Sequence, residues 1–390
     1  MSGMLLRLAC TAAVAAGTVL APVPAAAVPG PGGPGDRSAA ELLTELQTLY
    51  REAEKATEAY NATEERLEKQ RAETERLEDA LARARLSLYD SRGEAGRLAR
   101  QQYQSSTGIS PYVRLLLARD PQGALDQGHL IGQLARERAQ TVDRLTGDER
   151  KAGELARRAR AALDARLALT ERHREERDEV RERLREVEEL LASLTREELA
   201  ALAELERAEV ARDQEELLAS GALGGARTPS GAGDRAVRYA VEQLGKPYEW
   251  GAEGPETYDC SGLTSEAWGA AGTPIPRTSQ EQWARLERVP LRELRPGDLV
   301  VYFPEATHVA LYLGDGKVVH APRPGARIKV SPIAANPVLG AVRPDPDGEP
   351  LRRYVPPELP EGAADGSDEG YAGSAAPTAE PAGWAGTPVL

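Results

Sequence analysis

The sequence predicts an α+β domain, with N-terminal helices packed on an antiparallel sheet, preceded by a long α-helical coiled-coil hairpin. Apolar or small residues recur at alternating steps of four and three through Leu42, Leu46, Leu49, Ala53, Ala56, Tyr60, Thr63 and Leu67, and again at Leu77, Leu81, Ala84 and Leu88. That spacing is a coiled-coil seam. Composition then changes near residue 234: Trp250, Trp268, Trp283 and the single Phe, Phe303, all fall within 234–343. Within that segment helical patterns come first and strand patterns after, which is an α+β order.

The whole chain has 390 residues, 28% of them charged and 4% aromatic. Such a chain is too long for one domain and too poor in aromatics to be one large core throughout. A net charge of −13 argues against nucleic acid as the main partner, because phosphate binding needs clustered Lys and Arg. It also gives no general attraction to anionic membranes.

Residues 1–27 read as a secretory signal peptide. Arg7 supplies a positive start, 8–20 a short apolar run, and Pro22-Val23-Pro24-Ala25-Ala26-Ala27 small residues of the A-x-A cleavage type. The run is too short for a membrane span, and also too short before Cys10 to favour a lipid anchor. The expected localisation is secreted or cell-wall associated. Processing would remove Cys10 and leave Cys260 without a disulfide partner, either reactive or a small buried hydrophobe.

Residues 28–37 are Pro- and Gly-rich and are expected to be disordered. The hairpin is assigned to 38–218, with a break near 105–123 marked by Gly108, Pro111, Pro121 and Gly123. Helical pattern resumes over 125–218 in a looser register. A parallel dimer would use the same seam, and the pattern alone leaves both open. His129 and His173 read as surface or seam residues. Residues 219–233 are a flexible linker by composition. The C-terminal domain is assigned to 234–343 and a disordered tail to 344–390.

Inside 234–343, helices are expected at 234–244 and 260–271, ended by Gly245 and Gly272. Strands are expected at 299–302, 308–313, 317–320 and 328–330. Cys260 opens the second helix, where unpaired backbone N–H groups favour an anion and so lower a thiol pKa. Asp259 precedes it as a cap or as a substrate contact. Gly314-Asp315-Gly316 is a tight turn. With a three-residue loop, Leu313 pairs with Lys317 and Ala310 with His320, so His308 and His320 share one face, diagonally adjacent. A two-residue loop would put them on opposite faces. The three-residue register brings together a thiol, a base and an orienting group. A zinc site from Cys260, His308 and His320 is an alternative, but close C-x-x-C or H-x-x-x-H spacing is absent.

Segment 234–343 resembles the NlpC-type cell-wall cysteine peptidases, bacterial relatives of papain related to the CHAP domains. The residues that carry the likeness are Gly245-Lys246-Pro247-Tyr248-Glu249-Trp250-Gly251, Asp259-Cys260-Ser261-Gly262-Leu263, Pro276-Arg277-Thr278-Ser279, Leu294-Arg295-Pro296-Gly297-Asp298-Leu299, His308 to Gly314, and His320-Ala321. With its helical arm, the whole chain resembles secreted coiled-coil peptidoglycan hydrolases of Gram-positive bacteria.

The resemblance implies a papain-like catalytic domain with Cys260 as nucleophile, His308 as general base and His320 as orienting residue. It implies substrate contacts from Tyr248, Asp259 and Ser261, the last two meeting the free amine of the stem peptide, and no metal or other cofactor. Arg277 and Gln282 are assigned to loop support. Ala252 departs from the family, which often has a second Gly after Trp-Gly; this could alter the approach of substrate to Tyr248. The implied activity is cleavage of peptidoglycan stem peptides between D-glutamate and the diamino acid. A wall amidase or transferase with the same dyad, or a non-catalytic wall-binding adaptor, is the alternative. The coiled coil is expected to limit access to the cleft and to meet a partner, such as a membrane division-complex protein.

Overall fold

A computed structural model describes residues 37–105, 113 and 121–364. Two long helices come first, α1 (Ala39–Ser105) and α2 (Pro121–Ser193). They run antiparallel. Leu42 and Leu46 pack with Val187 and Leu190 at one end, and Leu77 and Leu81 with Ala159 and Ala162 further along. Beyond these, Ser91 bonds Asp148 and Glu94 pairs with Arg144. The seam is buried at Leu42, Leu46, Ala53, Ala56, Leu67, Leu77, Leu81 and Ala84. Its weak members Gln70 and Thr74 are placed by bonds to the Ala162 carbonyl, at 3.0 and 3.4 Å. The predicted break lies for the most part outside the described residues.

The run expected over 125–218 is not one helix. It stops at Ser193 and restarts as α3 (Arg196–Ala219). Thr195 caps α3 with a reciprocal capping box: its Oγ1 accepts from Glu198 N at 3.2 Å, and Glu198 Oε2 accepts from Thr195 N at 2.8 Å. The break matters because α3 leaves the hairpin axis. Leu202, fully buried, joins the α1–α2 cluster, while Leu217 packs on the C-terminal sheet. Gln214 fixes this end, donating to Gly316 O and accepting from Ala334 N. The hairpin is thereby docked on the C-terminal domain rather than tethered to it by a slack linker.

The C-terminal domain contains α4 (Gly231–Glu242), α5 (Cys260–Ala270) and α6 (Ser279–Arg285). Its strands are β1 (Glu287–Val289), β2 (Leu299–Tyr302), β3 (His308–Gly314), β4 (Lys317–His320), β5 (Lys329–Pro332) and β6 (Val338–Arg343). They form one antiparallel sheet in the order β1-β6-β2-β3-β4-β5. Trp268, Leu263 and Val237, fully buried, fill the space between α4, α5 and the sheet. Leu217 and Leu223 cover part of the opposite sheet face. β1, β6 and α6 were not expected from sequence: β1 is three residues long and polar, and β6 is interrupted by Gly340.

Two boundaries are corrected. In the 219–233 stretch, Leu223 packs on the sheet and Ser230 caps α4, accepting from Gly233 N at 2.8 Å. The tail expected to be disordered from 344 instead continues the fold to 364. Arg295 grips Asp345 and Gly348, Leu351 N donates to Pro229 O, and Val330 N donates to Ala363 O.

Candidate active site

Cys260 is the first residue of α5. Asp259 caps the helix, its Oδ1 accepting from Gly262 N at 2.6 Å. Gly262 is required here. A Cβ would stand 2.2 Å from Ala252 O, because the 249–252 turn folds onto the first turn of α5, tied down by Asp259 N donating to Ala252 O. The cap is also the centre of a buried polar cluster. Arg277 donates to both Asp259 oxygens, at 3.0 and 2.7 Å, and to Ser261 Oγ at 2.9 Å, and also pairs with Glu253. Gln282 donates to Ser261 O and Pro276 O and accepts from Thr264 Oγ1. These two residues, read from sequence as loop support, fix the walls of the site.

The two histidines meet. His308 Nε2 and His320 Nδ1 are 2.9 Å apart, and His320 Nε2 is 3.0 Å from Ser331 Oγ. The register behind this is the expected one, with a refinement at the turn. Leu311 pairs with Val319 and Tyr312 with Val318, but Gly314 rather than Leu313 pairs with Lys317. The tip is therefore a two-residue loop, Asp315-Gly316, and a bulge before Gly314 restores the parity that keeps His308 and His320 on one face. Both rings are buried. Ser331, on β5, completes the line; the sequence carried no signal for it.

What the sequence missed lies on α1. On the side of α1 turned away from the seam, Glu54, Glu58 and Asn61 form a stripe buried against the C-terminal domain. Glu54 Oε1 is 3.1 Å from His308 Nδ1. Glu58 Oε1 accepts from Ser261 Oγ at 2.7 Å and from the Cys260 thiol at 3.8 Å, and its Oε2 accepts from Ser279 N at 2.8 Å. Asn61 Nδ2 donates to Asp259 Oδ2 at 3.0 Å. Tyr60 sets its ring edge-on to Trp250, with centroids 5.1 Å apart, and stacks on His173 behind it. His129 is exposed. The helix thus covers the thiol and the histidine pair. The hint was local: from Ala53 to Thr63, α1 carries just one basic residue, Lys55, among Ala, Thr, Asn, Tyr and Glu.

This arrangement reverses the expected state of the thiol. Cys260 is pushed well above its ordinary pKa, first by burial and then by the charges of Glu58, Asp259 and Glu54, with only the Val309 backbone acting the other way. The helix N-terminus alone does not make a thiolate here. Burial, and then the Asp259 charge, push the Glu58 carboxyl up to about 7. Tyr248 is buried beside Cys260, and its hydroxyl is held well above its usual range by burial. Next to His320 a cavity of about 490 Å³ remains between α1, α3 and the sheet, lined by Tyr50, Glu54, Glu206, Arg323 and Asn336 among others. Glu206 pairs with Arg323 across it. Among the described residues, no cluster of His, Cys, Asp and Glu could hold a metal ion.

A thiol at a helix start, set against a histidine pair on an antiparallel sheet, places this domain in the class of thiol–histidine sites. Residues 245–340 match the model of the NlpC/P60 family, and this part of the chain is an NlpC/P60 domain. A probable endopeptidase of Corynebacterium glutamicum is 42% identical over 111 residues, which is 28% of this chain and 53% of that protein. A probable endopeptidase of Mycobacterium tuberculosis is 39% identical over 119 residues, 30% of this chain and 31% of that protein. The chain thus spans about half of the first relative and about a third of the second. Among solved structures, the NlpC/p60 domain of the peptidoglycan hydrolase SagA is 31% identical. The match covers 28% of this chain and 97% of that domain, with a TM-score of 0.27.

Proposed function

We propose that this protein is a secreted peptidoglycan endopeptidase, cutting stem peptides between D-glutamate and the diamino acid, and held inactive while α1 lies in its cleft. The observation that carries this reading is the line His308–His320–Ser331 set beside a thiol at a helix start. The names of the relatives, probable endopeptidases, support a peptidase, and the NlpC/P60 match supports a peptidoglycan substrate.

In the open cleft, His308 Nδ1 takes the Cys260 proton, and His320 holds the ring through Nε2. The thiolate attacks the scissile carbonyl, His308 returns the proton to the leaving amine, and a thioester remains on Cys260. Water, deprotonated by His308, then releases the acyl product. Asp259, fixed by Arg277, presents Oδ2 to the cleft; Asn61 donates to it in the closed form, as the free amine of a stem peptide would in the open one. Ser261 stands beside it, and Tyr248 lines the thiol. The cavity next to His320 is where the leaving side of the substrate has room.

Release falls to a partner that engages the far end of the hairpin, for instance a protein of a membrane division complex. Tyr103, Leu125, Leu130 and Leu134 are exposed toward that end, and their apolar side chains support a protein contact. The test is digestion of purified wall by the Asn61→Ala chain, whose cover is weakened, with and without Cys260→Ala, followed by mass spectrometry of the fragments. New amino termini on the diamino acid are expected only with Cys260 present. Equal digestion by the Cys260→Ala chain would sink the nucleophile, and cleavage at the sugar–peptide amide would make the protein an amidase.

A further inference from the structure

Covering a cleft needs bulk, yet the groups that α1 places nearest the chemistry are two carboxylates in matched positions. Glu54 and Glu58 are one helical turn apart, so they project side by side. One faces the base and the other the thiol. His308 has two ring nitrogens, and Nε2 is engaged with His320 Nδ1. Only Nδ1 remains to take a proton from Cys260. It stands 3.1 Å from Glu54 Oε1, an ion-pair separation, and makes no hydrogen bond in this closed form, because the ring plane is not turned to the carboxylate. The Cys260 thiol meanwhile donates to Glu58 Oε1. Each half of the nucleophile–base pair is thus matched to a helix carboxylate instead of to the other half.

Resting on the assignment of Cys260 and His308 as nucleophile and base, we propose that Glu54 is a built-in off-switch for the base: facing Nδ1, it keeps a proton on that nitrogen, so α1 disables the proton transfer as well as hiding the thiol. A carboxylate oxygen and a ring lone pair at this distance repel, whereas an Nδ1–H is attracted. The His308 proton then sits on Nδ1, Nε2 accepts from His320 Nδ1–H, and His320 Nε2 accepts from the Ser331 hydroxyl.

When α1 leaves, Nδ1 gives its proton to water, the His320 Nδ1 proton passes to His308 Nε2 and the Ser331 hydroxyl proton to His320 Nε2, and water restores the hydroxyl, so each ring carries one proton before and after. The line then runs the other way, from Nε2–H to His320 Nδ1, with His320 Nε2–H turned to Ser331 Oγ. Nδ1 is bare and can accept from Cys260. The cavity lined by Glu54 and His320 brings solvent to this point. Other charged or titratable groups around the pair include Tyr302, whose ring centroid is 5.7 Å from that of His308, Asp259 with its Arg277 partner, Tyr248, and Arg323 with Glu206 at the cavity wall.

Two measurements on the full chain test this. In a Cys260→Ala chain with ¹⁵N-labelled histidine, the resting His308 should show a protonated Nδ1 and an unprotonated Nε2. Glu54→Gln, whose amide can donate to Nδ1, should exchange the two. With Cys260 restored, Glu54→Gln should raise iodoacetamide labelling of Cys260 at neutral pH by about tenfold, mapped on the Cys260 peptide. Hydrogen exchange along α1 is followed in parallel. A bare Nδ1 in the resting chain overturns the proposal. So does faster labelling that appears only with loss of α1 protection and with no change in His308. Failure of the Asn61→Ala chain, with Cys260 intact, to digest peptidoglycan would count against the proposed enzyme and leave the His308 result standing.

Discussion

Glu58 of α1 accepts a hydrogen bond from the backbone N–H of Ser279, a residue 221 positions further along the chain, at 2.8 Å. The same carboxylate accepts from Ser261 and the Cys260 thiol. One glutamate of the hairpin therefore ties together the start of α5 and the start of α6, the two walls of the cleft. The consequences of that tie can be measured.

The closed form should tighten in mild acid. Glu58 in the docked helix is held at about 7, above the 4.5 of an ordinary Glu such as it would become in an open cleft. A raised carboxyl means that the closed form binds the proton more strongly. The resulting stabilisation is complete below about pH 4.5 and is lost as pH rises through about 7. The upper bound is about 3 kcal/mol. The protection factors of 50–65 against hydrogen exchange, which remove the intrinsic pH dependence of exchange, should be larger at pH 5 than at pH 8, and Glu58→Gln should remove most of that difference.

Tyr60 should be a clamp separable from the carboxylates. Its ring meets Trp250 edge-on and stacks on His173. Such a pair contributes about 1 kcal/mol beyond the area it buries. Tyr60→Ala should raise wall digestion by the full chain several-fold while leaving its melting temperature nearly unchanged. A drop in digestion would show that Tyr60 serves substrate binding instead.

Ser331 should matter to turnover without touching substrate. It bonds His320 Nε2, the far end of the histidine line. Removing one partner of a buried bond costs about 1–3 kcal/mol. In a chain with its cover weakened by Asn61→Ala, Ser331→Ala should lower kcat about tenfold and leave KM within about twofold. Ser331→Thr, which restores a hydroxyl, should recover part of the loss.

Arg277 should be needed for folding of the site. It is the buried fork that neutralises Asp259 from below. Arg277→Ala leaves a buried carboxylate without its counter-charge, a loss of about 3–5 kcal/mol. Arg277→Lys keeps the charge but not the two-pronged geometry, and should fall between. Thermal melting of Cys260→Ala chains gives the comparison without self-digestion.

Much of the site was legible because it depends on local rules. A cap, a helix start and a lone cysteine mark Cys260. Counting along a β-turn put His308 and His320 on one face, and the bulge before Gly314 left that count correct although the loop is shorter than assumed. The break at Thr195 was also written in the sequence, as a Thr with Glu three residues on, but it was hidden inside a long helical pattern. The strand β6 was missed because Gly340 interrupts its alternation. It pairs with β2 nonetheless, a neighbour in space and not in sequence.

The sequence by itself determined the two units and the chemistry they contain. The heptad seam requires a partner helix, and the Cys260 helix start with its two strand histidines defines a thiol–histidine site. Only the tertiary structure decided that these units close on one another. Glu54, Glu58 and Asn61 lie on the side of α1 away from the seam, and on an isolated helix charged and amide side chains there read as a solvated face. Their burial depends on the kink at Thr195, which turns α3 onto the sheet and holds α1 against the cleft. Periodicity records which side of a helix is apolar. It does not record that a polar side can be matched, group for group, by a cleft some two hundred residues away, nor that the match reverses the protonation of the thiol it covers.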